Sequence, residues 1–320
     1  MDNQEDNDLV KSIIQASLNI PPEKLTSDFY LAAAHLPRWH LLMLQDRRRL
    51  EYYSDVIRPK VEGKVVLDVG TGSGILSHMA LKWGARKVYS IEQNPALQAV
   101  YRHLMRTPLE SGQAELFCDD ALFLRLDQFS EGAPDVIVHE LFGSIGMGEN
   151  LIPIFRALVK EGILTDKTTI VPDLLEVWMR PVFSELMGQE GQVEAFDDYP
   201  LQLLNIFGSQ SFFEQEYIAS RSCNWQTTAS DQLLFKCHLR DLTLPEQVVL
   251  KFSASHATHL KLWMKIADTA SGLIHANDHQ EVETHWANSY LAIPGWLRNR
   301  SFQVEFNIHP NGIQVSRFIP

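Results

Sequence analysis

Cysteine is scarce in this chain. Its 320 residues hold three, Cys118, Cys223 and Cys237, an odd number at wide spacing that supplies neither a disulfide framework nor the close pairs from which metal sites are built. A reducing, cytoplasmic setting and no metal are the expectations that follow. Long apolar runs are also missing, and nothing approaches the ~18 residues that span a bilayer. The opening stretch, MDNQEDNDLVKSII, is acidic and polar where a secretory signal would be basic and then apolar; contact with a membrane is not expected. Basic residues are outnumbered, 28 Lys and Arg against 40 Asp and Glu, a formal charge of 28 − 40 = −12. That balance opposes binding to nucleic acid phosphates and attracts cationic partners. What the chain does have is 45% hydrophobic residues over a length that fits two domains or one large one, enough to bury a substantial core.

The apolar pattern changes twice along the chain. Residues 1–63 have helical spacing, in LVKSIIQASL and then in WHLLMLQDRRRLEYYSDVI up to Arg58-Pro59, and form an N-terminal helical segment. From 64 to 171, short apolar runs alternate with helical stretches: VVLDV, ILSHMALKWG, KVYSIE, PALQAVYRHLMR, AELFCDD, DVIVHE, NLIPIFRALVKEG and ILTDKTTIV. That alternation predicts an α/β, doubly wound, Rossmann-like domain with a mostly parallel sheet. From 172 to 320 the segments LLEVWMRPVF, QLLFKCHL, VVLKFSA, HLKLWMKIA, SFQVEFNI and IQVSRFI predict an antiparallel, β-barrel-like domain. Residues 184–217, rich in aromatics, fit neither pattern and suggest an excursion that packs on a partner.

Chemistry concentrates at the predicted strand ends. LDVGTGSGIL places Asp68, Gly70, Gly72 and Gly74 between a buried strand and a helix, where missing side chains let a ligand approach the backbone. The spacing differs from the G-x-G-x-x-G of pyrophosphate binders. The next strand ends in Glu92, placed to accept hydrogen bonds from ribose hydroxyls, the third in Asp119-Asp120, and the fourth in Glu140. No Lys or Arg stands among these tips, so a phosphorylated cofactor is disfavoured. S-adenosylmethionine has a ribose, an adenine, a sulfonium and no phosphate. The stretch HELFGSIGMGENLIP then adds Glu149 beyond three glycines. Two carboxylates brought together need a positive guest, and the planar guanidinium matches them best.

The Glu140-x8-Glu149 loop, following the DVGTGSG turn and Glu92, resembles the double-glutamate loop of protein arginine methyltransferases. HLLMLQDRRRLEYY, with Met43-Leu44 followed by Asp46 and Arg49, and Thr284-His285-Trp286 in the β-rich half are similar to two further motifs of that family, in the same order. The resemblance runs from about Phe29 to the C-terminus. It implies S-adenosylmethionine as cofactor, with Asp68, Gly70 and Gly72 shaping its turn, Glu92 on the ribose, Arg49 on the methionyl carboxylate, Asp119 and Asp120 near the adenine, Met43 bordering the methyl-transfer site, and His40 also among the cofactor-binding residues. It implies Glu140 and Glu149 as the clamp on a substrate guanidinium, and Asp46 paired with His285. Trp39, Tyr30, Trp286 and Phe142 are candidates to line the arginine slot. The implied substrate is an arginine-containing protein or peptide, and the implied assembly is a homodimer with 184–217 as its arm. Members that make asymmetric dimethylarginine tend to carry a second methionine soon after the second glutamate; here Asn150-Leu151-Ile152 follows, which points to monomethylation. Two rivals stay open: methylation of a small guanidine or amine metabolite, and a non-catalytic binding module with this fold.

Overall fold

The computed structural model describes residues 38–185, 212–215, 225–253, 256–278, 286 and 288–320. The segment LVKSIIQASL, Tyr30, Thr284, His285 and most of 184–217 lie outside the described residues. Two compact units emerge: the chain up to Glu140 with Arg156–Val171, and Leu141–Phe155 with Pro172–Pro320. No helix among the described residues is long and apolar enough to cross a membrane.

The first unit opens with α1 (Arg38–Gln45) and α2 (Arg47–Ile57), where the apolar spacing alone predicts one continuous helix. Asp46 divides them. Its backbone leaves the helical region (φ −70°, ψ 87°) and its side chain accepts a hydrogen bond from Arg49 N, an N-cap worth about 1 kcal/mol. The buried residues of α2, Arg49, Tyr52, Tyr53, Val56 and Ile57, recur at the three- and four-residue spacing of a single helix face.

A parallel sheet follows, built from β1 (Val65–Val69), β2 (Lys87–Ile91), β3 (Ala114–Phe117), β4 (Val136–His139) and β5 (Thr169–Val171) in the order β3-β2-β1-β4-β5. The connections carry α3 (Ile75–Lys82), α4 (Pro95–Leu104) and α5 (Arg106–Glu110), and α6 (Leu151–Lys160) precedes β5. Every residue of β1 and β4 is buried, as expected of strands covered on both faces. Register decides where the chemistry goes. Val69 pairs with Ile91 of β2 and with His139 of β4, so the residues that follow, Gly70, Glu92 and Glu140, emerge side by side at the carboxyl edge. The strand order reverses at β1, and ligands of open α/β sheets bind at such a point.

The second unit is antiparallel throughout, in line with the barrel-like expectation. One sheet runs β7 (Phe212–Gln215), β13 (Asn288–Ala292), β11 (His259–Asp268), β6 (Leu174–Phe183), β8 (Gln226–Thr227), with β12 (Leu273–Ala276) on β11 and β9 (Gln232–His238) on β6. A second runs β10 (Gln247–Ser253), β14 (Ser301–His309), β15 (Gly312–Ile319). Along β6, Leu175, Val177 and Met179 are fully buried, while Trp178 on the opposite face stacks on Trp263 at 5.7 Å. Strand periodicity of two produces this division.

His259, at the start of β11, is 2% exposed, with Nδ1 3.0 Å from Thr258 Oγ1 and its ring against the face or edge of Trp225 at 5.3 Å. Burial, and then the positive Arg298, push its pKa down to about 4. Between that value and the ordinary 6.5 the unfolded chain binds the extra proton, so stability present at neutral pH is lost as pH falls through this window. Denaturant unfolding at pH 7 and pH 4 should show the wild type losing on the order of 3 kcal/mol more than His259→Gln. Equal losses in the two proteins would refute a buried neutral imidazole.

Candidate active site

The turn after β1 uses glycines in the left-handed region, with φ of 70° at Gly70, 56° at Gly72 and 85° at Gly74, which glycine enters without steric cost. The amides of Gly70 and Thr71 both donate to Ile91 O at 3.0 Å, tying the turn to the end of β2. Gly74 is required for a second reason: a Cβ there would lie 2.8 Å from the ring of Tyr101. His40 lies over the turn from α1, its Cε1 3.7 Å from where a Gly72 Cβ would be.

Asp68 is fully buried, and its Oδ2 accepts three hydrogen bonds, from Thr71 Oγ1 at 2.6 Å, Ser77 N at 2.9 Å and Ser77 Oγ at 2.6 Å. Burial outweighs these donors and pushes its pKa up to about 6. Oδ1 is buried with no hydrogen-bond partner among the described residues. Glu92 is 7% exposed. Its Oε2 accepts from Gly72 N at 2.9 Å and its Oε1 from Asn94 N at 2.7 Å, and burial holds its pKa above the ordinary value. Each oxygen keeps a lone pair, so the carboxylate is fixed in place and able to accept two ribose hydroxyls. Asp119 and Asp120 shape the turn after β3: Asp119 Oδ1 accepts from Asp120 N at 2.8 Å, and Asp120 Oδ1 from Leu122 N at 2.9 Å.

Arg49 reaches this edge from α2, 1% exposed, and its Nη2 forms an ion pair with Glu140. Its guanidinium lies 5.2 Å from the centroid of Tyr53, whose hydroxyl donates to His139 O at 3.0 Å and so ties α2 to the end of β4. Burial lowers the pKa of Arg49. Its Nε and Nη1 are buried with no hydrogen-bond partner among the described residues. Buried donors of a cation left in this state are costly, and an anionic acceptor is what they lack. Met43 and Asp46 are buried nearby in sequence, Asp46 occupied in part as the cap of α2.

The loop carrying Glu149 belongs to the second unit. Glu149 is exposed. The loop turns by a Gly146 N to Gly143 O bond of 2.8 Å and is anchored by Trp286, whose Nε1 donates to Phe142 O at 3.0 Å with the two rings at 84°. Trp286 and Phe142, proposed from sequence to line an arginine slot, are 5% and 2% exposed and brace the loop. Asn150, next to Glu149, has φ 55°, a left-handed conformation that asparagine tolerates, and its carbonyl accepts from Ile154 N at 2.9 Å to open α6.

Of the residues singled out in the sequence, Arg49, Asp68, Gly70, Gly72, Glu92 and Glu140 thus meet at one sheet edge. Sequence reasoning missed Tyr53, Thr71, Ser77, Ser90 and Tyr101. Two of these had a signal in their spacing: Tyr53 follows Arg49 by one helical turn, and Ser90 precedes Glu92 by one strand period.

Comparison with known proteins finds methyltransferases. Residues 49–172 match the family model of ribosomal protein L11 methyltransferase (PrmA). The arginine N(omega)-methyltransferase of Streptomyces achromogenes subsp. streptozoticus is 25% identical over 286 residues, 87% of this chain and 78% of that one. The ribosomal protein arginine N-methyltransferase rmt3 of Schizosaccharomyces pombe is 32% identical over 165 residues, 48% of this chain and 29% of that one. The fold is similar to that of the Trypanosoma brucei PRMT1 enzyme-prozyme heterotetrameric complex with AdoHcy, with a TM-score of 0.68, 19% identity, and coverage of 84% of this chain and 86% of that chain.

The chain is similar to arginine methyltransferases over most of its length.

These relatives differ in how much of their length the chain spans, from 78% of the Streptomyces protein to 29% of the fission yeast one. S-adenosylmethionine fits the residues present. The unsatisfied donors of Arg49 suit its carboxylate, Glu92 its ribose, and the glycine turn leaves room for the nucleoside against the backbone. Calorimetric titration should show Glu92→Ala weakening S-adenosylmethionine binding by roughly tenfold or more, the loss of two charge-assisted hydrogen bonds. A dissociation constant within twofold of wild type would remove Glu92 from the site.

Proposed function

We propose that this chain transfers a methyl group from S-adenosylmethionine to a guanidino nitrogen of arginine in a protein or peptide, giving monomethylarginine. The observation that carries this reading is Glu140, which holds a guanidinium, that of Arg49, at the carboxyl edge beside the glycine turn. A carboxylate so placed is suited to a second guanidinium, and Glu149 on the following loop supplies the other arm of the clamp.

Bound S-adenosylmethionine would supply an electrophilic methyl on a sulfonium, with the thioether sulfur as the leaving group that takes the C–S electron pair. The chain's own residues do the rest. Arginine is protonated at any working pH and spreads its charge over three nitrogens. Glu140 and Glu149 concentrate that charge away from the attacking nitrogen, whose lone pair then faces the methyl. Orientation of this kind recovers on the order of 7–11 kcal/mol. The proton released goes to a glutamate, or through Asp46 and His285, to solvent. Leu151, fully buried, stands in the region where asymmetric dimethylating members carry methionine, which supports a single transfer.

A second reading has one observation in its favour. The relative that aligns over 87% of the chain is named for arginine, whereas those named for ribosomal protein or histone substrates align over 48% to 68%. Free arginine is therefore the competing acceptor. Incubation with labelled S-adenosylmethionine and either arginine-rich peptides or free arginine distinguishes the two, and acid hydrolysis with chromatography identifies the product; asymmetric or symmetric dimethylarginine as the main product would refute monomethylation. Glu149→Gln should lower turnover by about 100-fold while cofactor affinity stays near wild type, and a wild-type rate would dispose of the clamp. Light scattering should give twice the chain mass at micromolar concentration if the homodimer forms; a monomer there would count against it.

A further inference from the structure

We propose that Tyr101 is a positioning residue for cofactor binding, acting on the glycine turn through a buried, one-way chain of hydroxyl groups that ends on Asp68. The proposal rests on the cofactor reading of the turn and extends it to a residue on α4.

The chain is continuous. Tyr101 OH lies 2.7 Å from Ser90 Oγ, Ser90 Oγ lies 2.7 Å from Ser77 Oγ, and Ser77 Oγ donates to Asp68 Oδ2 at 2.6 Å. Tyr101, Ser90, Ser77 and Asp68 are all fully buried, so no solvent competes at any link. Donor order follows from proton supply. An ionised carboxylate only accepts, and a serine hydroxyl has one proton. Ser77 spends its proton on Asp68, so at the next contact Ser90 must donate; Ser90 has then spent its own, so Tyr101 must donate to Ser90. Thr71 Oγ1, 2.6 Å from the same Oδ2, likewise spends its proton on Asp68. Tyr101 is the donor at the head of the chain, and each bond polarises the next.

Four elements are tied by this chain: β1 through Asp68, α3 through Ser77, β2 through Ser90 and α4 through Tyr101. Ser90 lies two residues before Glu92, and Glu92 holds Gly72 N. The hydroxyl chain and the ribose carboxylate thus grip the same turn from the end of β2 and the residue just beyond it. The ring of Tyr101 packs against Gly74, so Tyr101 meets the turn by contact and by hydrogen bond, and Tyr101→Phe removes only the second. Among the described residues, the charged and titratable groups that face Asp68 are Arg49 from α2, Glu92 just after β2 and Tyr101 from α4. A protonated Asp68 would bring its own proton and undo the donor order, so the chain is one-way only while Asp68 is ionised, above about pH 6.

Calorimetric titration with S-adenosylhomocysteine from pH 5 to 8 tests this. The wild type should lose affinity as pH falls through about 6. Tyr101→Phe should raise the dissociation constant at pH 7 by about fivefold and move the inflection to higher pH, because the carboxylate has lost its remote donor, while kcat at saturating cofactor stays within twofold. Ser90→Ala should do the same with the tyrosine intact, and Ser90→Thr, which restores the hydroxyl, should recover the wild-type profile. A Tyr101→Phe protein with a lowered Tm but wild-type affinity and inflection would overturn the proposal and leave the chain a packing feature. Wild-type protein that binds no S-adenosylhomocysteine would overturn the cofactor reading itself.

Discussion

One carboxylate oxygen, Oδ2 of Asp68, carries the geometry on which the first unit's chemistry depends. It accepts from the turn through Thr71 and from the first turn of α3 through both the amide and the hydroxyl of Ser77. A fully buried carboxylate is costly unless its acceptors are filled, and here the groups that fill them are parts of the turn. Folding around Asp68 therefore obliges the backbone to pass between β1 and α3 in one particular way. The glycines then allow the positive φ values that path demands, and the amide of Gly72 is left pointing at Glu92.

Arg49 imposes a second constraint. Its guanidinium is buried against Tyr53 and paired with Glu140, so two of the residues most suited to ligand chemistry stabilise one another. Breaking a buried pair by deleting one member usually costs more than the pair contributes. The same arrangement leaves Nε and Nη1 with donors to spare, so an anionic group could be received without dismantling the pair. Structure and binding capacity thus come from one side chain, and its place on α2 follows from the cap that Asp46 provides.

Much of this was legible in the sequence. VVLDV reads as a buried strand because it is a short apolar run, and all five of its residues are covered; Glu92 and Glu140 read as tip residues because an acidic group ends each apolar run. The continuous helix expected across Asp46 did not form: apolar spacing continues through that position, but an aspartate with a free amide three residues on competes as a cap. Trp286 and Phe142 read as slot residues because aromatics suit a flat cation, and they proved to be buried anchors of the loop. An indole N–H needs an acceptor when buried, and the carbonyl of Phe142 offers one. The hydroxyl chain was not legible: Ser77, Ser90 and Tyr101 stand on three different elements, and although Ser90 lies one strand period before Glu92, nothing in the local sequence joins it to the other two.

The sequence by itself determined the order of elements, the identity of the acidic strand tips and the glycine turn, because these depend on periodicity and on backbone freedom at single positions. Only the tertiary structure decided which side chains share an oxygen, which donors remain unsatisfied and which aromatics are buried. Those outcomes depend on the register of β1 against β2 and β4 and on where α2 crosses the sheet edge, and both arise from packing between segments far apart in the chain.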